Sequence, residues 1–178
     1  MTTARPQRSE AAEYYFRYID VVPEGDIRQT LTRQRGEMRE LFGGVAPEQS
    51  GFRYDAGKWT LREVVGHLSD TERVFAARAM WFARGLDGEM PSFDQNVSIA
   101  AGRFDARTWR SLVDELDSVR AATVSLFDDL PEAAWDGRGI ASGNPFTVRA
   151  LAWLAAGHVE HHLRIVRERY LAPGAPRP

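Results

Sequence analysis

The amino-acid sequence predicts an all-α fold built on four long helices. Two observations lead to this fold class. Four segments place apolar residues three or four positions apart, which is the spacing that lines one face of an α-helix. No segment shows sustained alternation of apolar and polar residues, the pattern expected of a half-buried β-strand. With 178 residues, the chain is long enough for one domain with a full hydrophobic core.

The first helical pattern extends from about Pro23 to Phe42. Glycines and a proline in "FGGVAPEQSG" end it. A short apolar segment, "YYFRYIDVV", precedes this helix, and we expect it to pack across the bundle or at an interface. Residues 1–12 are expected to form a flexible N-terminal tail.

The second helix has the clearest start signal. In "KWTLREVV", Thr60 is a predicted N-cap and Glu63 follows three residues later. In such a capping box, each side chain accepts a hydrogen bond from the backbone amide of the other residue. The pattern continues to about Gly85, where a long connection, residues 85–104, begins. A connection of this length within a compact domain is usually functional or spans the end of a bundle.

The third helical pattern begins at Asp105 and ends near Pro131, and the fourth extends from Thr147 to about Tyr170. We therefore expect a single helical domain over residues 13–171. The last residues, 172–178, are rich in proline and glycine and should form a flexible C-terminal tail.

Composition limits the function classes. The formal net charge is −2, which argues against nucleic acid as a partner because phosphate binding needs a basic surplus. The chain has no cysteine, so disulfides, thiolate metal sites and cysteine nucleophiles are excluded. No apolar stretch approaches the roughly 18 residues that span a bilayer, and the N-terminus lacks the apolar run of a secretory signal. We expect a cytoplasmic protein that has no membrane partner.

Three of the four histidines lie within "GHVEHHLRIV" in the fourth helix. His158 and His162 are four residues apart, on the face that should form the core seam of a bundle helix. His67 lies on the inward face of the second helix. Three imidazoles that converge on one ion form an arrangement typical of catalytic metal sites. The alternative is a buried polar network without metal, and spacing alone leaves both open.

Glu160 does not complete a zinc-protease motif. In H-E-x-x-H the glutamate directly follows the first histidine, whereas Glu160 follows His158 by two residues. It should therefore point away from the metal face of the helix.

Three segments together resemble the DinB-like (YfiT-like) superfamily of metal-dependent bundle proteins. They are "GKWTLREVVGHLSDTERVFAARAMWFARG", "FDQN" and "GHVEHHLRIV". The resemblance covers residues 15–170. It implies a four-helix bundle with a long crossover connection, often dimeric, with a metal triad of His67, His158 and His162. His161 is not part of that triad. Some relatives in this superfamily act on low-molecular-weight thiols.

Other polar residues are weaker candidates. Asp70 could orient an imidazole, although a solvated helix charge is the commoner role. Asp94, Gln95 and Asn96 could line the mouth of a site, although a polar loop without such a role is the favoured interpretation. Arg78 and Arg84 are expected to be surface charges rather than anion-binding residues. A catalytic side chain is not apparent, so a metal-bound water or thiolate is expected to be the reactive group.

These observations predict a metal-dependent enzyme with one divalent ion, zinc or nickel, and a small-molecule substrate. The favoured activity is a thiol-dependent S-transferase or a hydrolase. Two alternatives remain: a non-enzymatic metal-binding protein of the stress response, and a structural bundle dimer whose histidines form a polar core. We expect a homodimer, and we expect activity to fall below about pH 6 as histidines of ordinary pKa protonate.

Overall fold

Six α-helices form most of the computed structural model, which describes residues 3–172. They are α1 (Phe16–Ile19), α2 (Ile27–Gly43), α3 (Leu61–Ala83), α4 (Gln95–Gly102), α5 (Trp109–Asp128) and α6 (Val148–Ile165). Four of them are long, and α2 and α3 each pack against both α5 and α6. This arrangement confirms the predicted all-α four-helix bundle. The consecutive helices α2 and α3 are therefore placed diagonally across it.

Short helical turns complete the helical structure of the described chain. The 3-10 turns are Arg8–Glu10, Glu13–Tyr15, Pro47–Gly51, Phe104–Ala106 and Glu132–Asp136, and a π-helical turn, Val166–Tyr170, extends α6. The predicted long connection between the second and third bundle helices contains α4.

The predicted capping box at the start of α3 is confirmed. The Glu63 carboxylate accepts from the Thr60 amide at 2.7 Å, and the Thr60 hydroxyl accepts from the Glu63 amide at 3.2 Å. Thr147 caps α6 in the same way by accepting from the Ala150 amide at 3.0 Å. These caps satisfy amides that have no partner within the helix, and they fix where the two histidine-bearing helices begin.

Two helices begin later than the sequence predicted. α2 begins after Asp26, whose carboxylate accepts from the Arg28 amide at 3.0 Å, and not at Pro23. α5 begins after Thr108, since Asp105 lies within the preceding 3-10 turn. In both cases a side-chain cap further along the chain satisfies the first free amides.

The expectation that the chain has no strands was wrong. Two short strands, β1 (Arg138–Ala141) and β2 (Asn144–Thr147), form an antiparallel hairpin just before α6. Ser142 and Gly143 turn the chain with φ angles of 52° and 70°, as a two-residue hairpin loop requires. Each strand has four residues, which is too short for an alternating pattern to stand out.

The N-terminal segment packs onto the bundle. The Arg5 guanidinium donates to the Ile19 and Val22 carbonyls at 2.7 and 2.6 Å, and Ala11 pairs with Phe146 of β2. Glu10 is buried and accepts from the Thr147 hydroxyl at 2.8 Å. Residues 5–11 of the expected N-terminal tail therefore contact the bundle. Residues 1–2 lie outside the described residues, as do residues 173–178 of the expected C-terminal tail.

The apolar segment before the first long helix packs within the same chain. Phe16, Ile19 and Val22 are buried in a core that includes Leu151 and Ala155 of α6. It therefore packs across the bundle, one of the two arrangements expected. Among the described residues, no helix combines the length and apolar character needed to cross a bilayer.

Candidate metal centre

The bundle brings His67 of α3 together with His158 and His162 of α6. One ring nitrogen from each of the three lies within 4.8 Å of the other two. The Nε2 atoms of His67 and His158 are 3.0 Å apart. His67 and His158 are buried, and His162 is half-buried. His158 and His162 follow His67 by 91 and 95 positions in the sequence, and the fold brings all three into one cluster in the bundle core.

The three side chains fit a divalent ion of the zinc class. Tetrahedral ligands at about 2.0–2.1 Å from zinc lie about 3.3 Å from one another, close to the separation of the His67 and His158 nitrogens. Burial lowers the pKa of His67 to about 4 and that of His162 to about 3. Burial, followed by the neighbouring histidines, lowers the pKa of His158 well below its ordinary value. At neutral pH the cluster therefore presents neutral imidazoles, the form that binds metal.

These lowered pKa values change one prediction. Histidines of ordinary pKa would protonate below about pH 6. Because burial shifts the pKa of His67 to about 4 and of His162 to about 3, both stay neutral at pH 6. The acid limit that we expect for metal binding therefore moves below pH 6.

Thr71, not Asp70, is the polar neighbour of His67. The Thr71 hydroxyl lies 3.3 Å from His67 Nδ1, one turn further along α3. A hydroxyl at this nitrogen helps to leave Nε2 free to face the cluster. The Asp70 carboxylate instead accepts from the Ser98 hydroxyl at 2.5 Å, and this contact joins α3 to α4.

A glycine precedes each of two cluster histidines, and both glycines allow close packing. A Cβ atom on Gly66 would overlap the Phe104 ring, and one on Gly157 would overlap the Tyr18 carbonyl group. Gly157 thus lets the backbone of α1 approach α6 beside His158. As a result the Tyr18 ring lies 5.8 Å from the His158 ring, centroid to centroid.

The two remaining candidates on α6 lie outside the cluster. His161 is half-buried and packs edge-on against Tyr18 at 5.4 Å. Glu160 lies 3.4 Å from the Gln34 side-chain amide on the far side of the helix. Neither belongs to the group of described residues that could hold an ion.

A cavity of about 430 Å³ adjoins the histidine cluster. His67 and His158 line it, together with Tyr18 and Phe75. Asp94, which caps α4, and Gln95, the first residue of α4, line the cavity, whereas Asn96 is not among the lining residues. The volume falls within the range that takes a small molecule.

Arg78 also lines this cavity and is not the surface charge that we expected. Its side chain is buried, with a relative exposure of 4%. Its Nη2 donates to the Pro91 carbonyl and to the Ser142 hydroxyl, both at 2.8 Å. The long connection and the hairpin turn enclose Arg78 here, and the sequence had not indicated the hairpin turn. Arg84, as expected, is exposed.

Comparison with known families and structures places this site in context. The family model of the DinB superfamily matches residues 30–166, which include all three cluster histidines. The chain belongs to the DinB superfamily. No curated protein matches it significantly.

Among solved structures, YfiT from Bacillus subtilis resembles this DinB-superfamily protein with a TM-score of 0.68. The match covers 94% of each chain at 17% sequence identity. YfiT is described as a probable metal-dependent hydrolase with an unusual four-helix bundle topology. At this identity the match shows the shared fold, which is the fold that the resemblance implied.

A buried charge network in this DinB-superfamily protein escaped the sequence analysis. Arg120 of α5 is fully buried and pairs with Glu72 of α3 at 2.9 Å. Arg120 also lies 3.4 Å from the Ala155 carbonyl, and the Gln34 amide donates to the Ala156 carbonyl at 3.0 Å. These contacts tie three helices to the turn of α6 that precedes His158. Arg120 lies on the buried face of α5, with Leu112, Leu116 and Thr123.

Proposed function

We propose that this protein is a metal-dependent enzyme that acts on a small molecule bound in the cavity beside the histidine cluster. His67, His158 and His162 would hold one divalent ion, zinc or nickel. The observation that carries the proposal is the juxtaposition of the cluster and the cavity. A cavity that shares His67 and His158 with the cluster gives a substrate direct access to the ion.

The chain supplies positioning around the ion. A divalent ion held by three neutral imidazoles acts as a Lewis acid and lowers the pKa of a water or thiol that it binds. The side chains of Tyr18 and Phe75 shield the cavity side of His158 from water. Asp94, the one carboxylate among the described lining residues, accepts from the Asn96 and Val97 amides at the start of α4. Its Oδ1 is engaged as a helix cap, and we assign no protein base to the reaction.

Two reactions fit this arrangement. With water as the nucleophile the enzyme is a hydrolase, which agrees with the description of the YfiT fold relative. With a thiol as the nucleophile it is an S-transferase, as the superfamily resemblance implied. The cavity beside the cluster favours an enzyme over a non-enzymatic metal-binding protein, because metal binding alone does not require a cavity.

The reaction can be tested with the cobalt-substituted protein. Glutathione, mycothiol, bacillithiol and coenzyme A are titrated while the visible absorption of cobalt is followed. An S-transferase predicts that at least one thiol shifts the cobalt bands at millimolar concentration. If none does, the S-transferase is excluded.

Hydrolysis is tested with the zinc-loaded protein on a panel of activated esters and amides. We expect turnover that His162→Ala abolishes and that His161→Ala retains, since His161 lies outside the cluster. If neither the thiol titration nor the hydrolysis panel gives a signal, the protein is not an enzyme of either class.

A further inference from the structure

Arg78 carries a buried charge that no carboxylate in the described chain neutralises. Its relative exposure is 4%, yet none of the ion pairs found within residues 3–172 includes it. The other buried arginine, Arg120, is paired with Glu72. A buried charge is costly unless it is paired, so the missing partner at Arg78 calls for an explanation.

Two hydrogen bonds hold the Arg78 guanidinium in place, but they engage only one of its three nitrogen atoms. Both of its hydrogen bonds come from Nη2, to Pro91 and to Ser142. The hydrogen bonds found within the described residues use neither Nε nor Nη1, which together carry three N–H groups. These groups belong to a side chain that lines the cavity next to His67 and His158.

The surroundings favour a negatively charged partner. Arg78 is the only Arg or Lys among the described residues that line the cavity. Burial lowers the pKa of its guanidinium, because the charged form loses contact with water that an anion would replace. Asp94 is the one lining carboxylate, and its oxygen faces the amides of Asn96 and Val97.

We propose that Arg78 is the anion-binding residue of this cavity, and that the substrate carries an oxyanion group, carboxylate or phosphate, which binds there. This inference rests on the proposed function, because it treats the cavity as the substrate site. The contacts to Pro91 and Ser142 fix the guanidinium, so its free N–H groups meet the ligand without rearrangement. The oxyanion binds at Arg78, and another part of the same molecule lies at the histidine cluster.

The alternative to anion binding is a structural role, in which Arg78 only links the long connection to the hairpin turn. That role uses only Nη2 and does not depend on the charge of a ligand. A comparison of ligands that differ only in charge therefore separates the two roles.

The first experiment uses the metal-free protein at pH 7.5 and titration calorimetry. Succinate is compared with succinamide, its neutral diamide, and methyl phosphate is added to distinguish phosphate from carboxylate. The cluster histidines are neutral at this pH, so Arg78 is the cation that the cavity offers. We expect at least one oxyanion to bind about tenfold or more tightly than the amide, the usual gain from a charge-assisted pair. Equal binding of all three probes would overturn the proposal without the need for any variant.

Variants then locate the preference. Arg78→Gln should abolish the preference for the oxyanion, and Arg78→Lys should keep part of it. Arg84→Gln is the control: Arg84 is exposed at the end of α3, and its replacement should leave the preference unchanged. Circular dichroism and metal content check that each variant is folded. A preference that survives in folded Arg78→Gln protein would also overturn the proposal.

A second arm separates this inference from the proposed metal chemistry. The cobalt-substituted protein is titrated with 3-mercaptopropionate and with its neutral amide, and the cobalt bands are followed. We expect the acid to bind more tightly than the amide, and Arg78→Gln to remove that difference. This result would show that one small molecule contacts both the anion site and the ion. If the protein binds no metal but the metal-free arm shows the charge preference, the proposed function fails while the anion site stands.

Discussion

Arg120 and Glu72 bury opposite charges next to the backbone that carries His158. Arg120 has a relative exposure of 0% and Glu72 of 2%. Burial raises the pKa of Glu72 and lowers that of Arg120, and each partner opposes the shift of the other. The pair is therefore strongly interdependent, because either residue alone would leave an unpaired charge in the core.

Removal of one partner should be costly. We predict that Arg120→Met lowers the free energy of unfolding by about 3–5 kcal/mol, because Glu72 is left buried without its counterion. Arg110→Met on the same helix is the control: its pair with Asp114 is exposed and screened by water, so only a small loss is expected. Urea unfolding of both variants measures the difference. Similar losses in the two would show that the buried pair is unimportant.

The histidine cluster predicts how the stability of the metal-free protein depends on pH. In the unfolded chain a histidine titrates near pH 6.5, whereas in the folded protein burial lowers the pKa of His67 to about 4 and of His162 to about 3. Between these values the unfolded state binds protons that the folded state does not. The free energy of unfolding should therefore fall as the pH falls below about 6.5, by up to about 1.4 kcal/mol per pH unit for each histidine.

Chemical denaturation in the presence of a chelator, between pH 7.5 and 5, measures this dependence. Replacement of His67 by leucine should reduce the slope, because one of the titrating groups is gone. A free energy of unfolding that stays constant over this range would contradict the lowered pKa values.

At the level of elements, the contact between α1 and α6 depends on Gly157. We predict that Gly157→Ala destabilises the protein by about 1–3 kcal/mol, because its Cβ would overlap the Tyr18 carbonyl and neither backbone can move freely. Gly36→Ala is the matched control, since Gly36 lies in α2 with open space around it. There alanine should stabilise the helix by about 0.4–1 kcal/mol. Thermal unfolding of both variants tests the contrast, and stabilisation at both positions would refute the close contact.

The sequence predicted elements well where the signal is local. Thr60 and Glu63 form the expected capping box because both partners lie within one turn. The histidine spacing on α6 likewise follows from helix geometry. The hairpin was missed because its strands are only four residues long and its stability comes from contacts with distant residues such as Met90 and Ala11.

The buried charges could not be predicted because their burial depends on tertiary partners. Arg78 sits in a helix whose pattern suggested a polar face, and its surroundings come from Pro91 and Ser142. The burial of Arg120 depends on its partner Glu72, which α3 brings from a distant part of the sequence. The meeting of His67 with the histidines of α6 could be predicted, because apolar neighbours mark the histidine-bearing face of each helix as inward.

At the level of the whole molecule, assembly remains a prediction. We expect a homodimer with two-fold symmetry, the commonest oligomer, as the family resemblance also implies. Exposed apolar side chains are available for such a contact, among them Tyr14, Val97 and Ile140. Light scattering at micromolar concentration should give twice the mass of the 20.0 kDa chain. A monomer mass would contradict the prediction.

At this scale α3 and α6 carry the three cluster histidines, while α1, the long connection and the hairpin turn line the cavity beside them. The most direct test of this account is the metal content of purified protein and of four single variants. We predict about one divalent ion per chain in the wild type and in His161→Ala, and a large loss in His67→Ala, His158→Ala and His162→Ala. Full metal content in any of these three, or none in the wild type, would contradict the three-histidine centre.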